Sequence, residues 1–165
     1  MKFQTLHDLY LEELRDLYSA EKQILKALPK VIDATKSQEL RQALTHHLQE
    51  TQGHAQRLEQ VFKLHNEEAK AVTCDGMKGI LEEGEDILDH DENPDVRDAG
   101  IISACQRVEH YEMAAYGSVR TWAEQMGHTE AARILQQTLD EEKHADKKLT
   151  EVAMSLNAHS VRRAG

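Results

Sequence analysis

One stretch of the sequence decides the fold, and it reads Cys105-Gln106-Arg107-Val108-Glu109-His110-Tyr111-Glu112-Met113-Ala114-Ala115-Tyr116-Gly117-Ser118-Val119. Its apolar side chains recur every three or four residues, which is the period of an amphipathic α-helix. On a helical wheel at about 100° per residue, Glu112 lies near the centre of the apolar stripe, and Glu109 lies one turn back on the same face. Because two carboxylates stand where a core requires apolar groups, the stretch predicts a buried polar site inside a helical fold.

The same apolar period runs outward from this stretch through most of the chain. It covers residues 6–33, 38–65, 77–89, 95–126 and 129–157, with a predicted turn at Thr35-Lys36-Ser37, a loop at 90–94 and a helix cap at Gly127. Four long helices, with one short helix inside the longer middle connection, predict an all-α four-helix bundle. We expect residues 1–157 to form this single domain and residues 158–165 to form a polar C-terminal tail.

The composition agrees with a helical fold and narrows the classes of function. Among 165 residues there are only 8 Gly and 2 Pro, and aromatic residues make up 4%, which argues against β-sandwiches and barrels. A net charge of −10 argues against a nucleic-acid partner. No apolar run reaches the ~20 residues of a membrane helix, and the N-terminal segment does not resemble a signal peptide, so we expect a cytoplasmic protein. Two cysteines, Cys74 and Cys105, are too few for a disulfide framework or a cysteine-based zinc site.

Carboxylates also occupy the apolar stripes of the first and last long helices. Glu21 lies within about 20° of the stripe centre of the first helix, and Glu142 is central in the last, with Asp146 one turn further on. A buried carboxylate must be protonated, paired with a base or bound to a metal, and no basic residue lies at the centre of any stripe. Oxygen ligands suit iron or manganese, so the converging acids predict two iron or manganese ions bridged by carboxylates.

The second long helix carries candidate metal ligands, but none of them lies at the centre of its apolar stripe. Its central position is Thr51, and its candidate ligands His47, Glu50 and His54 flank the stripe at spacings of three and four residues. We rank Glu50 first because a fourth helix should add a carboxylate, and we expect an imidazole from either His47 or His54.

A Glu-x-x-His spacing, which many di-iron bundles use, occurs from Glu141 to His144. The wheel turns His144 away from the apolar stripe and turns Glu142 towards it, so we favour Glu142 with Asp146. Glu141 and His144 are the alternative if the helix phase differs by one residue. The predicted metal ligands are therefore Glu21, Glu50, His54, Glu109, Glu112 and Glu142. Alternative ligands, or residues that orient the ligands from behind, are His47, Glu141, His144 and Asp146.

Two similar halves are indicated by an offset of 91 residues, which relates Glu21 to Glu112 and Glu50 to Glu141. Two helix pairs joined by a long crossover would arrange acids around a pseudo-twofold axis, as ferritin-like sites do.

Four stretches resemble the YciF-like (YciE/YciF) family of ferritin-like bacterial proteins, and the resemblance covers nearly the whole chain. They are Tyr18-Ser19-Ala20-Glu21-Lys22-Gln23, His47-Leu48-Gln49-Glu50-Thr51-Gln52-Gly53, Val108-Glu109-His110-Tyr111-Glu112 with Tyr116-Gly117, and Leu139-Asp140-Glu141-Glu142-Lys143. The resemblance implies a ferritin-like bundle, a binuclear metal site, dimerisation and an association with bacterial stress responses.

The pair Glu109-x-x-Glu112 is also similar to the third core helix of rubrerythrin, where two glutamates one turn apart serve the metals. Rubrerythrin usually carries an iron–thiolate domain, whereas this chain has no Cys-x-x-Cys, so an external donor would have to supply electrons. Tyr111 and Tyr116 are either redox-active neighbours of the metals or aromatic packing.

These observations favour a ferritin-like protein that binds two metal ions, iron in the first place, and has oxidase-like or peroxidase-like chemistry towards oxygen or peroxide in stress defence. Two alternatives are an iron-storage or DNA-protecting cage of many subunits and a metal-free helical interaction module.

Overall fold

Five helices follow one another in the computed structural model, which describes residues 3–90 and 93–162. They are α1 (Leu6–Ala34), α2 (Gln38–Leu64), α3 (Asp75–Leu88), α4 (Pro94–Gln125) and α5 (Thr129–Arg162). The prediction of an all-α, ferritin-like four-helix bundle with a short helix in the middle crossover is confirmed. The predicted boundaries differ by at most two residues except at the end of α5, which continues to Arg162 instead of ending at residue 157. Residues 163–165 of the predicted tail lie outside the described residues.

Local sequence signals set the helix ends. Thr5 and Asp8 form a capping box at the start of α1, Asn93 caps α4 ahead of Pro94, and Gly127 adopts a φ of 79° just after α4. The buried carboxylate of Asp98 accepts hydrogen bonds from the backbone amides of Lys36 at 3.0 Å and Ser37 at 2.6 Å. These bonds fix the α1–α2 turn against the first turns of α4.

The four long helices pack as two hairpins. α1 packs against α2 and α4, α5 packs against α4 and α2, and α3 lies across α1 and α4. Within the described residues, no helix is long and apolar enough to cross a membrane.

Apolar residues form two separate clusters along the bundle axis. The first cluster includes Tyr10, Leu17, Leu58, Phe62 and Leu135, near the start of α1. The second includes Ile24, Leu44, Met77, Ile101 and Leu149, near the end of α1. The core-facing acids of α1, α4 and α5 occupy the layer between the two clusters, so apolar side chains close that layer above and below.

Candidate metal centre

A layer of polar side chains, which we call the polar layer, crosses the middle of the bundle. None of its members is more than 6% exposed. They are Glu21 from α1, His47, Thr51 and His54 from α2, Glu109 and Glu112 from α4, and Glu142 from α5. Each of the four long helices therefore supplies at least one metal-ligating or polar group to one enclosed space.

The ligating residues of this layer form two groups, in each of which the donor atoms lie within 4.8 Å of one another. The first group is His47, Glu109, Glu112 and Glu142. The second group is Glu21, His54 and Glu142. Glu142 belongs to both, and a carboxylate has two oxygens, so it is placed to bridge two ions.

Most donor atoms in the two groups have no hydrogen-bond partner. The nine unpartnered atoms are Glu21 Oε2, both ring nitrogens of His47, His54 Nδ1, Glu109 Oε2, and both carboxyl oxygens of Glu112 and Glu142. A buried polar group without a partner costs about 1–3 kcal/mol. Close approaches do occur, such as 2.8 Å between His54 Nδ1 and Glu142 Oε1, but without the angles of a hydrogen bond. Carboxylate and imidazole donors in this number fit a pair of divalent cations, which would satisfy them together.

One side chain of the second group has a buried partner. The Tyr116 hydroxyl donates a hydrogen bond to Glu21 Oε1 at 2.5 Å, and both residues are fully buried. Burial, together with the negative charge of Glu21, raises the pKa of Tyr116 well above its ordinary value, so the phenol stays protonated and keeps donating. Tyr111 points elsewhere, because its hydroxyl donates to Asp16 at 3.0 Å and lies 3.1 Å from Cys74 Sγ.

An outer pair of residues orients His54. The Nε2 atom of His54 lies 2.8 Å from Glu141 Oε2, and Arg57 donates two hydrogen bonds of 2.7 Å to the same carboxylate. An imidazole that donates its Nε2–H to a carboxylate presents Nδ1 as the free ligand atom, which is the usual arrangement around metal-bound histidines. Glu141 thus lies behind His54 and outside both groups. Sequence reasoning did not find Arg57, although it is one helical turn from His54.

Burial and crowding determine the charge of the polar layer. Burial, and then the neighbouring Glu142 charge, raise the pKa values of Glu109 and Glu112 well above the ordinary value. For Glu142, burial acts in the same direction, but the close approach of Glu109 and His54 lowers its pKa to about 2. For His54, burial opposes protonation, but Glu142 and Glu21 raise its pKa to about 11. These shifts favour protons on His54 and on the two glutamates of α4, in the places where cations would bind.

Three further predicted residues, besides Glu141, lie outside both groups. The Glu50 side chain is 17% exposed and lies 3.2 Å from His46 Nε2. Asp146 accepts a hydrogen bond from Gln106 at 3.1 Å and lies 3.2 Å from the His110 ring, and His144 is exposed. In contrast, the side chains of both His47 and His54 lie in the polar layer, whereas the sequence predicted an imidazole from only one of them.

Two cavities reach the first group from opposite sides. A mostly apolar cavity of about 490 Å³ lies between α1, α3 and α4, and it ends at His47 and Glu109. A second cavity of about 410 Å³ between α2 and α5 ends at the same two residues, and its walls include Glu39, Glu50 and His144. The polar layer is therefore reached by two cavities, and the second of them has charged side chains in its walls.

Comparison with known proteins identifies the family. The family model described as "Domain of unknown function (DUF892)" matches residues 5–162. The chain is also 44% identical to Protein YciF of Escherichia coli (strain K12) over 156 residues, and this alignment covers 94% of both proteins. The chain belongs to the DUF892 family. This membership confirms the resemblance to YciF-like proteins that the four sequence stretches indicated.

Solved structures show that the DUF892 chain shares its fold with its relatives. The crystal structure of the E. coli stress protein YciF matches with a TM-score of 0.91 at 43% identity, over 94% of this chain and 99% of that chain. YcfI from Rhodopseudomonas palustris matches with a TM-score of 0.87 at 44% identity, over 89% and 94%. The protein XCC3681 from Xanthomonas campestris pv. campestris, at 18% identity and a TM-score of 0.77 over 97% and 99%, supports the fold alone.

Proposed function

We propose that this DUF892 protein binds two divalent ions, iron or manganese, in the polar layer and reacts there with oxygen or peroxide in a bacterial stress response. The observation that carries the proposal is the pair of buried donor groups joined at Glu142, with nine donor atoms that lack hydrogen-bond partners. The description of the E. coli relative YciF as a stress protein supports the physiological part.

Each donor group would hold one ion. His47, Glu109 and Glu112 would bind the first, Glu21 and His54 would bind the second, and Glu142 would bridge them. A bound pair of iron ions supplies one- and two-electron chemistry towards oxygen or peroxide.

Other residues prepare this centre. Tyr116 holds one oxygen of Glu21 in place and provides a proton donor at that atom. The Arg57–Glu141 pair orients His54, and the two apolar clusters close the layer above and below. The first cavity gives a small uncharged reactant a route to His47 and Glu109, while carboxylates such as Glu50 on the wall of the second cavity attract incoming cations.

The reaction can be tested by measuring hydrogen peroxide consumption after anaerobic loading with Fe(II). We expect the wild type to consume peroxide faster than an equal concentration of free Fe(II), and Glu142→Gln to fall to the free-iron rate. Glu151→Gln is the matched control, because Glu151 is an exposed carboxylate on the same helix. Equal rates for wild type and Glu142→Gln would contradict the proposed reaction.

We further propose that the protein is a cytoplasmic homodimer that receives electrons from a separate donor protein. The absence of a Cys-x-x-Cys motif from the sequence supports the external donor. A solution mass of two chains would agree with this proposal. An assembly of a dozen or more chains would instead support the iron-storage or DNA-protecting alternative.

A further inference from the structure

Three histidines meet at one end of the bundle, outside the polar layer. His7 lies in the first turn of α1, His65 is the C-cap of α2, and His128 lies between α4 and α5. Their ring centroids are 4.6 Å apart for His65 and His128, 5.8 Å for His7 and His65, and 5.8 Å for His7 and His128. All three side chains are partly buried, so the cluster is reachable from solvent.

These separations match those of three imidazoles around one ion. With metal–nitrogen distances of about 2.0–2.1 Å and a tetrahedral geometry, the centres of the rings lie roughly 5 Å apart. The three observed distances lie on either side of that value. The ring nitrogens are not all within 4.8 Å of one another in the present rotamers, so at least one ring must turn about its side-chain torsions to bring them together.

The backbone holds two of the histidines in tight turns. The amide of His65 donates to Phe62 O at 3.0 Å, and Asn66 follows it with a φ of 56°. The amide of His128 donates to Ala123 O at 2.8 Å, directly after Gly127 with its positive φ. Because the backbone is already fixed, binding an ion requires ordering of side chains only.

A buried tyrosine supports the cluster from below. Tyr10 is fully buried, and its hydroxyl oxygen lies 3.0 Å from His65 Nε2. When Nε2–H donates to this oxygen, Nδ1 of His65 keeps its lone pair for a metal. Metal-bound histidines are commonly oriented in this way by a hydrogen bond from the other ring nitrogen.

We propose that His7, His65 and His128 form a separate site for one divalent transition ion of the zinc, nickel or copper(II) class, with an open position for water. Imidazole donors without carboxylates select these ions over iron and manganese. The site is independent of the polar layer, because His7 precedes Glu21 by 14 residues, about 21 Å along α1, and the first apolar cluster lies between them. An ion bound there would join α1, α2 and the α4–α5 turn.

The test is a calorimetric titration with Zn(II), using protein without a histidine tag and with Glu142→Gln to disable the polar layer. We expect one Zn(II) per chain, and at least a hundredfold weaker binding when His128→Gln or His65→Gln is added. His90→Gln is the matched control, since His90 is an exposed histidine outside the cluster, and it should bind as tightly as its parent.

Circular dichroism melts in chelator establish that the variants fold. Zn(II) should raise the melting temperature of the Glu142→Gln parent and leave that of the His128→Gln variant unchanged. No Zn(II) binding by the parent, or binding that survives His128→Gln and His65→Gln undiminished, would overturn the proposal.

Discussion

The α1–α2 and α4–α5 hairpins carry the same donor at one pair of equivalent positions and different residues at two others. At an offset of 91 residues, Glu21 corresponds to Glu112, and both are fully buried in the polar layer. The central positions of α2 and α5 diverge, since Thr51 corresponds to Glu142 and His54 to Ala145. Each hairpin therefore retains one half of a Glu-x-x-His motif, the histidine in α2 and the glutamate in α5.

This division makes the two donor groups unequal. The first group has four residues and the second has three, and the second has the outer support of Glu141 and Tyr116. Glu142 is the one residue that belongs to both groups. The comparison teaches that two hairpins related by a sequence offset can present chemically different donors to one layer, and the following changes test how distinct the two proposed metal positions are.

The largest effect is expected from Glu142→Gln, because it removes the donor common to both groups. Loss of an outer partner alone costs about 10–100-fold in metal affinity, so loss of this ligand should weaken both positions by at least 100-fold. Mn(II) titrations of Glu142→Gln and of the control Glu151→Gln measure the change. Full retention of one tight position would show that Glu142 serves a single ion.

The next largest effect is expected from Glu141→Gln, which weakens the support of His54. We expect about 10–100-fold weaker binding at the second group and little change at the first. Asp146→Asn is the matched control, because Asp146 is a partly buried carboxylate on α5 outside both groups. A loss of affinity with Asp146→Asn and none with Glu141→Gln would reverse the assignment of these two residues.

Stability in chelator should separate the equivalent residues Glu112 and Glu21. Both oxygens of Glu112 lack partners, so Glu112→Leu should raise the free energy of unfolding by about 1–4 kcal/mol. Glu21→Leu should stabilise by about 1–3 kcal/mol less, because it leaves the buried Tyr116 hydroxyl without its acceptor. Added metal should stabilise neither variant as much as it stabilises the wild type.

Thermal or denaturant melts in chelator measure both variants against the wild type. A Glu112→Leu protein less stable than the wild type would mean that Glu112 is a satisfied carboxylate, and the first group would lose a ligand.

The smallest effect is a dependence of metal affinity on pH. Glu109 and Glu112 have raised pKa values and retain protons that an ion must displace, so the apparent affinity should rise with pH, by up to about tenfold per pH unit for each proton released. Titrations in buffers of different ionisation enthalpy count the protons, and release of none would contradict the assigned charge state.

The stability of the protein in chelator depends on pH with the opposite sign, because it should fall as the pH rises. A carboxyl group with a raised folded-state pKa contributes stability below its unfolded pKa, and that contribution is lost as the pH rises through the folded value. His54, whose pKa is raised to about 11, acts in the same direction above its unfolded value of 6.5. Stability in chelator should therefore fall from pH 5 to pH 8.

The sequence was sufficient to predict the fold and the buried acids at the centres of the apolar stripes. Periodicity identified all five helices, and the wheel identified Glu21, Glu109, Glu112 and Glu142 as core-facing, since an apolar stripe fixes the inward direction of its own helix. The predicted end of α5 was wrong. The helix continues past residue 157 through a polar stretch, which the apolar period did not identify as helical.

The sequence could not decide which of the α2 residues that flank the apolar stripe face the polar layer, because that depends on how α2 is rotated against α5. His47 and His54 are seven residues apart and therefore share nearly one direction, whereas Glu50 lies roughly 40–60° away from both. That rotation turns the two imidazoles inward and leaves Glu50 beside His46. The Arg57–Glu141 contact and the three-histidine cluster join side chains from different helices, so no single-helix pattern could reveal them.

The most direct test of the account is the number of Mn(II) or Fe(II) ions that the protein binds under anaerobic conditions. Calorimetric titration of the metal-stripped wild type should give about two ions per chain, and Glu142→Gln should bind neither tightly. A stoichiometry near zero for the wild type would contradict the metal centre and leave the buried acids of the polar layer without a ligand.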